Sequence, residues 1–302
     1  MYENIKAAVM GSINMDIILS AERLPDVGEN VLGSSYSYAF GGKGANQATG
    51  LARLGAEVKM IGKVADDGNG NSLLENLRNQ GIDVSGVATD GSSTGLAAIL
   101  IDGEGRNRII VYEGANAQII PLEAASHITD DIELLLVQFE TSEEAVIQCV
   151  NRAISKGIMT VIDCGPAKNF CLEKMQGMTI ISPNENETEA LTGIFPKDEE
   201  TALRASQILF SRSNPQYVVL KLGDRGCSVY DGNGIRFFAA YPSDVKDTTA
   251  AGDSFTAALA LEYKKNGDIY AACDIANKAG AIAVSRVGAA ASMPTAKELF
   301  KK

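Results

Sequence analysis

Short apolar runs alternate with amphipathic stretches along most of this chain. The runs have the length of buried strands and end in polar residues, glycine or proline: AAVMGSI (7–13), EVKMIGKV (57–64), ELLLVQF, MTVIDC, MTIISPN and YVVLKLG. The stretches between and after them have helical periodicity: 46–56, 71–81, 142–156, 187–193, 199–213, 252–265 and 268–285. Because strands that alternate with helices form a mainly parallel sheet covered on both faces, we predict a three-layer α/β/α fold.

Two stretches, 15–40 and 92–113, interrupt this rhythm. Both have the period-two alternation of antiparallel strands, and the second contains a Gly-rich turn. We predict that they form a small β-sheet that projects from the main one. Since ligands of open α/β sheets bind beyond the carboxyl ends of the strands, such a sheet would act as a lid. A length of 302 residues fits one large domain spanning 1–302.

The composition limits the partners and the compartment. With 27 Lys and Arg against 38 Asp and Glu, the net charge is −11, which disfavours nucleic-acid binding. The five cysteines include no C-x-x-C pair, so we expect reduced thiols rather than a disulfide framework or a zinc site. No apolar run is long enough for a signal peptide or a membrane span, and we therefore expect a cytoplasmic protein. The single histidine, His127, disfavours Ser–His–Asp hydrolysis.

The segment AFGGKGANQATG (39–50) is rich in glycine where a helix is predicted to begin. It fails the Walker pattern because Gly follows Lys43, and it fails G-x-G-x-x-G because position 47 is Gln. One interpretation is a flexible turn before a helix. The other is a close backbone approach to a ligand, with Lys43 and Asn46 as hydrogen-bond donors, which would suit a neutral polyol.

Acceptors that could complement these donors follow predicted strands. Asn14 and Asp16 lie in GSINMD, and Glu140 ends LLLVQFE. A single acid at a strand end is usually a solvated turn residue or a helix cap. Three polar strand ends favour a shared site, although the sequence leaves their convergence open.

Two further segments follow predicted strands. In SPNENETEALTG (182–193), Asn184 and Glu187 are three residues apart, which fits either a helix-capping pair or an amide and a carboxylate around hydrated Mg²⁺. In LKLGDRG (220–226), two glycines would let a nucleotide lie against the backbone, a weak signal by itself.

The segment DTTAAGDSF (247–255) leads into the strongly helical FTAALALEY. The free N–H groups of a helix N-terminus bind anions, and small residues let a phosphoryl group approach them. Asp253 could then accept the proton of an attacking hydroxyl. The simpler interpretation is that Asp253 only stabilises the first helical turn.

Taken in order, these signatures closely resemble those of the ribokinase-like carbohydrate kinases, the PfkB family: GSINMD, GGKGANQA, FE, PNENE, KLGDRG and DTTAAGDSF. The similarity extends from about residue 5 to 295. It implies the ribokinase-like fold and an ATP-dependent sugar kinase that converts D-ribose to D-ribose 5-phosphate. It also implies Mg²⁺ and K⁺ as cofactors and a homodimer formed through the lid.

The resemblance implies a role for each matching residue. Asp253 would be the general base for the 5-hydroxyl of the sugar, and the anion hole would comprise Ala250, Ala251 and Gly252. The implied sugar contacts are Asn14, Asp16, Gly42, Lys43, Asn46, Glu140 and Asp253. The implied nucleotide contacts are Asn184, Lys221, Gly223, Gly226, Gly252 and Asn277. Magnesium is expected at Asn184 and Glu187, through water, and potassium at Asp247, Thr249, Ala283, Arg286, Gly288 and Ser292.

The chain departs from the family pattern in places. Lys221 stands where many members have a hydroxyl residue before Leu-Gly, and Asn277 where some have His. The segment IDCGPAKN (162–169) differs from the expected NPAP, and we assign it no role. Alternative acceptors are a fructose-type sugar, a keto-deoxy sugar acid, a nucleoside, or a phosphorylated sugar held by Arg106 or Arg108. A non-catalytic sugar or nucleotide sensor is a further alternative, which the presence of Asp253 disfavours.

Overall fold

The computed structural model describes residues 2–301, which form two β-sheets and the helices that cover them. The strands in chain order are β1 (Lys6–Met10), β2 (Asn14–Ala21), β3 (Gly33–Gly41), β4 (Glu57–Lys63), β5 (Asp83–Ala88), β6 (Gly95–Ile101), β7 (Asn107–Tyr112), β8 (Leu134–Gln138), β9 (Met159–Asp163), β10 (Ile180–Ser182), β11 (Tyr217–Lys221), β12 (Cys227–Tyr230) and β13 (Ile235–Phe238). The α-helices are α1 (Lys43–Leu54), α2 (Gly68–Asn79), α3 (Pro121–Ser126), α4 (Glu143–Ser155), α5 (Glu185–Thr192), α6 (Glu199–Ser213), α7 (Ala251–Asn266), α8 (Ile269–Val284) and α9 (Ala296–Leu299).

The large sheet has nine strands in the order β13-β12-β11-β10-β9-β8-β1-β4-β5. Every pairing from β11 to β5 is parallel, whereas β12 and β13 add an antiparallel edge. The parallel strands therefore end at one edge, and the residues that follow β1, β8, β9, β10 and β11 can meet there. The predicted mainly parallel sheet is confirmed.

The main sheet is covered on both faces, as the near-continuous apolar strands predict. Alternate residues of each strand belong to different cores, because strand side chains point to opposite faces. Ala7 and Val9 of β1 belong to one core with residues of α1, α2, α7 and α8, whereas Ala8 and Met10 belong to the other with residues of α3, α4 and α6. These β1 residues have no exposed surface.

The second sheet has four strands in the order β3-β2-β6-β7 and confirms the predicted small sheet. Strands β2 and β3 pair antiparallel, as do β6 and β7, and β2 pairs with β6 in parallel. The two stretches that break the strand–helix rhythm are thus joined through their first strands.

Several helices begin earlier than the apolar periodicity predicts. Helix α1 begins at Lys43 instead of position 46, α2 at Gly68 instead of 71, and α5 at Glu185 instead of 187. In each case the first helical residues are glycine, alanine or polar and show no apolar periodicity, and for α2 and α5 a side-chain cap defines the start. Strand β5 and the four-residue strands β12 and β13 also escaped prediction. Within residues 2–301, no helix combines the length and apolar character needed to cross a bilayer.

Candidate active site

Asp253 lies in the first turn of α7 and is almost fully buried, with 4% of its surface exposed. Three side chains of α1 face its carboxylate. Asn46 Nδ2 donates to Oδ2 at 3.1 Å, Gln47 Nε2 donates to Oδ1 at 3.0 Å, and Lys43 Nζ lies 3.8 Å from Oδ1. The glycine-rich segment therefore supplies the donors that hold Asp253, and from Lys43 onward it is helical rather than a flexible turn.

The Lys43 side chain passes over Gly165 into a group of acids. A Cβ at Gly165 would stand 2.4 Å from Lys43 Cε and 2.8 Å from a Glu187 carboxylate oxygen. Burial lowers the pKa of Lys43, but the carboxylates of Asp163 and Asp253 outweigh that effect and raise the pKa well above its ordinary value. Lys43 is therefore a permanent cation beside Asp253.

Asn14 and Glu140 line a cleft of about 560 Å³ together with residues that follow β7. Glu140 accepts hydrogen bonds from the Ser12 hydroxyl and, at 3.1 Å, from the backbone N–H of Lys43. Asn14 Oδ1 accepts from Asn116 Nδ2 at 2.7 Å. Asn14 and Glu140, whose convergence the sequence left open, thus line one cleft.

The Asp16 carboxylate lies against Gly41, where a Cβ would approach it to 2.2 Å. Burial, with a smaller contribution from the negative charge of Glu140, raises the pKa of Asp16 to about 7. Two acids thus share this side of the site, and one of them titrates near neutral pH.

Gly42 closes the same region from the N-terminus of α1. Its φ of 90° is in the region that favours glycine, and a Cβ would meet the Ser12 carbonyl oxygen at 2.7 Å and the Asn14 nitrogen at 2.8 Å. The backbone itself therefore requires glycine here.

The N-terminus of α7 begins with an unusual backbone conformation. Ala250, the N-cap residue, has a φ of 58° in the left-handed region, which costs an alanine roughly 1–2 kcal/mol. Such strain is concentrated at functional sites. The N–H of Ala251 donates to the Thr248 carbonyl at 3.3 Å, so the preceding turn already engages one of the predicted anion-hole donors.

A pocket of about 530 Å³ opens at this helix end. Its walls include five of the six residues expected to contact nucleotide: Lys221, Gly223, Gly226, Gly252 and Asn277. The Asn277 amide donates to the carbonyls of Phe238 and Ala239, each at 3.2 Å, and so fixes the end of β13. The sixth residue, Asn184, is the N-cap of α5.

Asn184 and Glu187 form a capping box. The Asn184 side chain accepts from the Glu187 N–H at 2.9 Å, and Glu187 accepts from the Asn184 N–H at 2.7 Å. Burial raises the pKa of Glu187, and Lys221 partly opposes that shift. Among residues 2–301 no group of three or more His, Cys, Asp and Glu side chains could hold a metal ion. The amide and carboxylate are nevertheless the donor types that Mg²⁺ takes through its bound waters.

Of the residues expected at a potassium site, Ala283 and Ser292 contact Arg286, whereas Thr249 and Gly288 contact Asp247. Its carboxylate accepts from the N–H groups of Thr249 and Gly288, both at 2.9 Å. Arg286 N–H donates to the Ala283 carbonyl at 3.1 Å, and its guanidinium lies 3.5 Å from the Ser292 carbonyl. The loop after α8 thus wraps the turn before α7, with carboxylate and carbonyl oxygens that suit a hard cation.

Comparison with known proteins identifies the family to which this chain belongs. The family model for pfkB family carbohydrate kinases matches residues 4–296. The chain belongs to the pfkB family. The ribokinase of Bacillus subtilis is 34% identical over 299 residues, which cover 96% of this chain and 97% of that protein. Mouse ribokinase is 33% identical over 305 residues, which cover 98% and 94%.

The fold of this pfkB kinase also matches solved structures. The structure of Arabidopsis thaliana ribokinase complexed with ribose and ATP has a TM-score of 0.89 and 29% identity, and the match covers 98% of this chain and 97% of that one. The predicted fold class and the prediction of a carbohydrate kinase are confirmed.

Sequence reasoning missed part of this site. Asp163 ends β9 in the segment that received no role, yet it has no exposed surface and accepts from Gln47, Lys221 and Thr256. Gln47 also accepts from Gln138 Nε2 at 2.7 Å, which fixes its amide orientation. The position of Asp163 at a strand end, the rule already applied to Glu140, was the signal that could have found it.

Proposed function

We propose that this protein transfers the γ-phosphoryl group of ATP to the 5-hydroxyl of D-ribose, giving D-ribose 5-phosphate and ADP. The observation that carries the proposal is the placement of Asp253. Its carboxylate is held by α1, whose Lys43 N–H donates to Glu140 of the polar cleft, and its chain neighbour Gly252 lines the second pocket. The Asp253 carboxylate is thus connected both to the polar cleft and to the pocket that Gly252 lines. The ribokinase names of the relatives and the ribose and ATP of the Arabidopsis structure support the same assignment.

Residues in the cleft and on the neighbouring parts of β2 and α1 supply what a neutral polyol needs. Asn14, Asp16 and Glu140 offer acceptors for hydroxyl protons, while Lys43 and Asn46 offer donors to hydroxyl oxygens. Glycine at position 42 would let the backbone approach the sugar closely. This mixture of fixed donors and acceptors would orient one hydroxyl toward Asp253.

Asp253 would take the proton of the 5-hydroxyl as its oxygen bonds to the γ-phosphorus and the bond from phosphorus to the β,γ-bridging oxygen breaks. The electron pair of that bond leaves with ADP. The N-terminus of α7 would stabilise the negative charge on the transferred group. Little basicity is required of Asp253 if the proton moves late.

The cations expected from the family have fitting residues in this chain. When bound, Mg²⁺ would neutralise nucleotide phosphate charge, and Asn184 and Glu187 would hold it through water. The oxygens around Asp247 would hold K⁺, so that Asp247 keeps the turn before α7 in place. The predicted cytoplasmic location is supported by the thiols of all five cysteines, which lie within the described range and are free.

The small sheet would act both as a lid and as a dimer interface on the single domain. Strand β2 begins at Asn14, which lines the cleft, so the sheet is directly attached to it. It exposes many large apolar residues, a pattern that marks interaction surfaces. They are Leu19, Tyr36, Tyr38, Phe40, Ile109, Ile110, Val111 and Tyr112.

The main alternative is another acceptor for the same chemistry. A phosphorylated sugar is less favoured because Arg106 is already paired with Asp102 and Glu104, both at 2.8 Å, in the turn between β6 and β7. Turnover should be measured with ATP against a panel of sugars, sugar acids and nucleosides, with and without K⁺. We expect the highest kcat/KM with D-ribose. A strong preference for fructose or a nucleoside would reject ribose, and no turnover with any acceptor would reject the kinase.

A further inference from the structure

Asp163 and Lys221 form a buried ion pair at the centre of the site. Lys221 Nζ donates to Asp163 Oδ2 at 2.9 Å, with 10% of the lysine side chain exposed and none of the aspartate. These two residues occupy two places where the sequence departs from the family pattern. Since desolvation makes a buried ion pair a poor source of stability, the pair calls for another explanation.

Lys221 is placed to meet a nucleotide. It is the last residue of β11 and lines the pocket that Gly252 also lines. Its Nζ lies 3.8 Å from the position that a Cβ on Gly252 would occupy. The ammonium group therefore stands beside the N-terminus of α7, where a helix favours negative charge.

Asp163 connects the lysine to Asp253. Its Oδ2 accepts from Lys221, from Gln47 Nε2 at 3.0 Å and from Thr256 Oγ1 at 3.1 Å. The same Gln47 nitrogen lies 3.0 Å from Asp253 Oδ1. One amide thus bridges the two carboxylates, and a charge on Asp163 orients donors on both sides.

The protonation states fit this arrangement. Burial lowers the pKa of Lys221, but Asp163 and Glu187 outweigh burial and raise it. Burial raises the pKa of Asp163, but Lys221 and Lys43 outweigh burial and lower it. Both partners are therefore charged at neutral pH.

We propose that Lys221 binds the terminal phosphate of the nucleotide and that Asp163 is the positioning residue that holds Lys221 and, through Gln47, Asp253. In this arrangement the Lys221 ammonium group would donate hydrogen bonds both to Asp163 and to the γ-phosphate oxygens. Lys221 would transfer no proton. The inference deepens the proposed function and rests on it for the direction of transfer.

The test uses Lys221→Met, Asp163→Asn and the double variant that combines them, because the double variant leaves no unpaired buried charge. Affinities for ADP and for the β,γ-imido analogue of ATP, each with Mg²⁺, are measured by calorimetry, alongside kcat and both KM values. We expect Lys221→Met and the double variant to lose about 10- to 100-fold in affinity for the triphosphate, the equivalent of one hydrogen bond to a charged group. Their affinity for ADP should change by less than about threefold, and kcat should fall in both.

Asp163→Asn should lower kcat while leaving the KM for ribose nearly unchanged. A matched control is Lys63→Met, because Lys63 also ends a parallel strand, is almost buried and pairs with Asp90 at 2.6 Å. It should bind both nucleotides like the wild type.

A purely structural ion pair predicts that the double variant regains wild-type kcat and triphosphate affinity, and this result would overturn the inference. An equal loss of affinity for ADP and the triphosphate would also overturn it. The calorimetric titrations with nucleotide need no sugar substrate. If the wild-type protein binds the triphosphate more tightly than ADP through Lys221 but does not phosphorylate ribose, only the proposed function is therefore rejected.

Discussion

Ribose binding should release a proton from Asp16 near neutral pH. Burial and Glu140 raise the pKa of this carboxyl to about 7 in the sugar-free protein, so it is about half protonated at pH 7. A sugar hydroxyl that donates to the carboxylate favours the ionised form and lowers that pKa. Binding at pH 7 should therefore release about 0.5 proton per ribose, rising to about 0.9 at pH 6 and falling to about 0.1 at pH 8.

Calorimetric titration with ribose in two buffers of different ionisation enthalpy measures this number directly. The association constant should also rise about fivefold from pH 6 to pH 7, and by less than twofold from pH 7 to pH 8, because the ionised fraction saturates. Asp16→Asn should bind ribose more weakly and abolish the proton release. Proton release that is unchanged in Asp16→Asn, or proton uptake by the wild type, would refute the assignment.

The raised pKa of Asp16 also has a consequence for folding. The unfolded chain ionises this group near its ordinary value of 3.8, whereas the native state resists ionisation up to about 7. The sugar-free protein binds the extra proton in this pH range, so the contribution of Asp16 to the free energy of unfolding is largest below pH 3.8 and declines as the pH rises to about 7. Urea denaturation of wild type and Asp16→Asn at several pH values isolates that contribution.

Three further changes test the site and the small sheet. Asp253→Asn should lower kcat by about 10²–10⁴ while ATP binding stays near wild type, and a loss below about tenfold would show that another group is the base. Gly42→Ala should lower the free energy of unfolding by more than about 2 kcal/mol in urea denaturation, because its Cβ clashes with backbone. Gly55→Ala, with a φ of 103° and open space around it, should lose only about 1–2 kcal/mol, so equal losses would contradict the steric argument. Tyr36→Glu on the small sheet should shift a dimer toward monomer in sedimentation, whereas the equally exposed Leu122→Glu should not; a wild-type monomer would end the dimer proposal.

The fold could be predicted from the chain because its main signals are local. The apolar runs that form β1, β4, β8, β9 and β11 require burial on both faces, and the helices between them favour a parallel sheet. Helix starts were predicted less well, because caps such as Asp67 and the capping box at Asn184 precede the periodic part of the helix. Strands of only four residues, such as β12 and β13, are too short for periodicity to reveal them.

The sequence by itself determined the α/β architecture, the family resemblance and the main candidate residues, Asp253 above all. Whether two residues meet is decided by packing between elements far apart in the chain. Asp163 and Lys221 are 58 positions apart, and nothing local in either segment indicates that they form an ion pair. Only the tertiary structure placed that pair, through Gln47, behind the carboxylate of Asp253. The tertiary structure also surrounds Asp253, in the first turn of α7, with hydrogen-bond donors from α1. The reason is that a buried carboxylate is stable only where donors surround it.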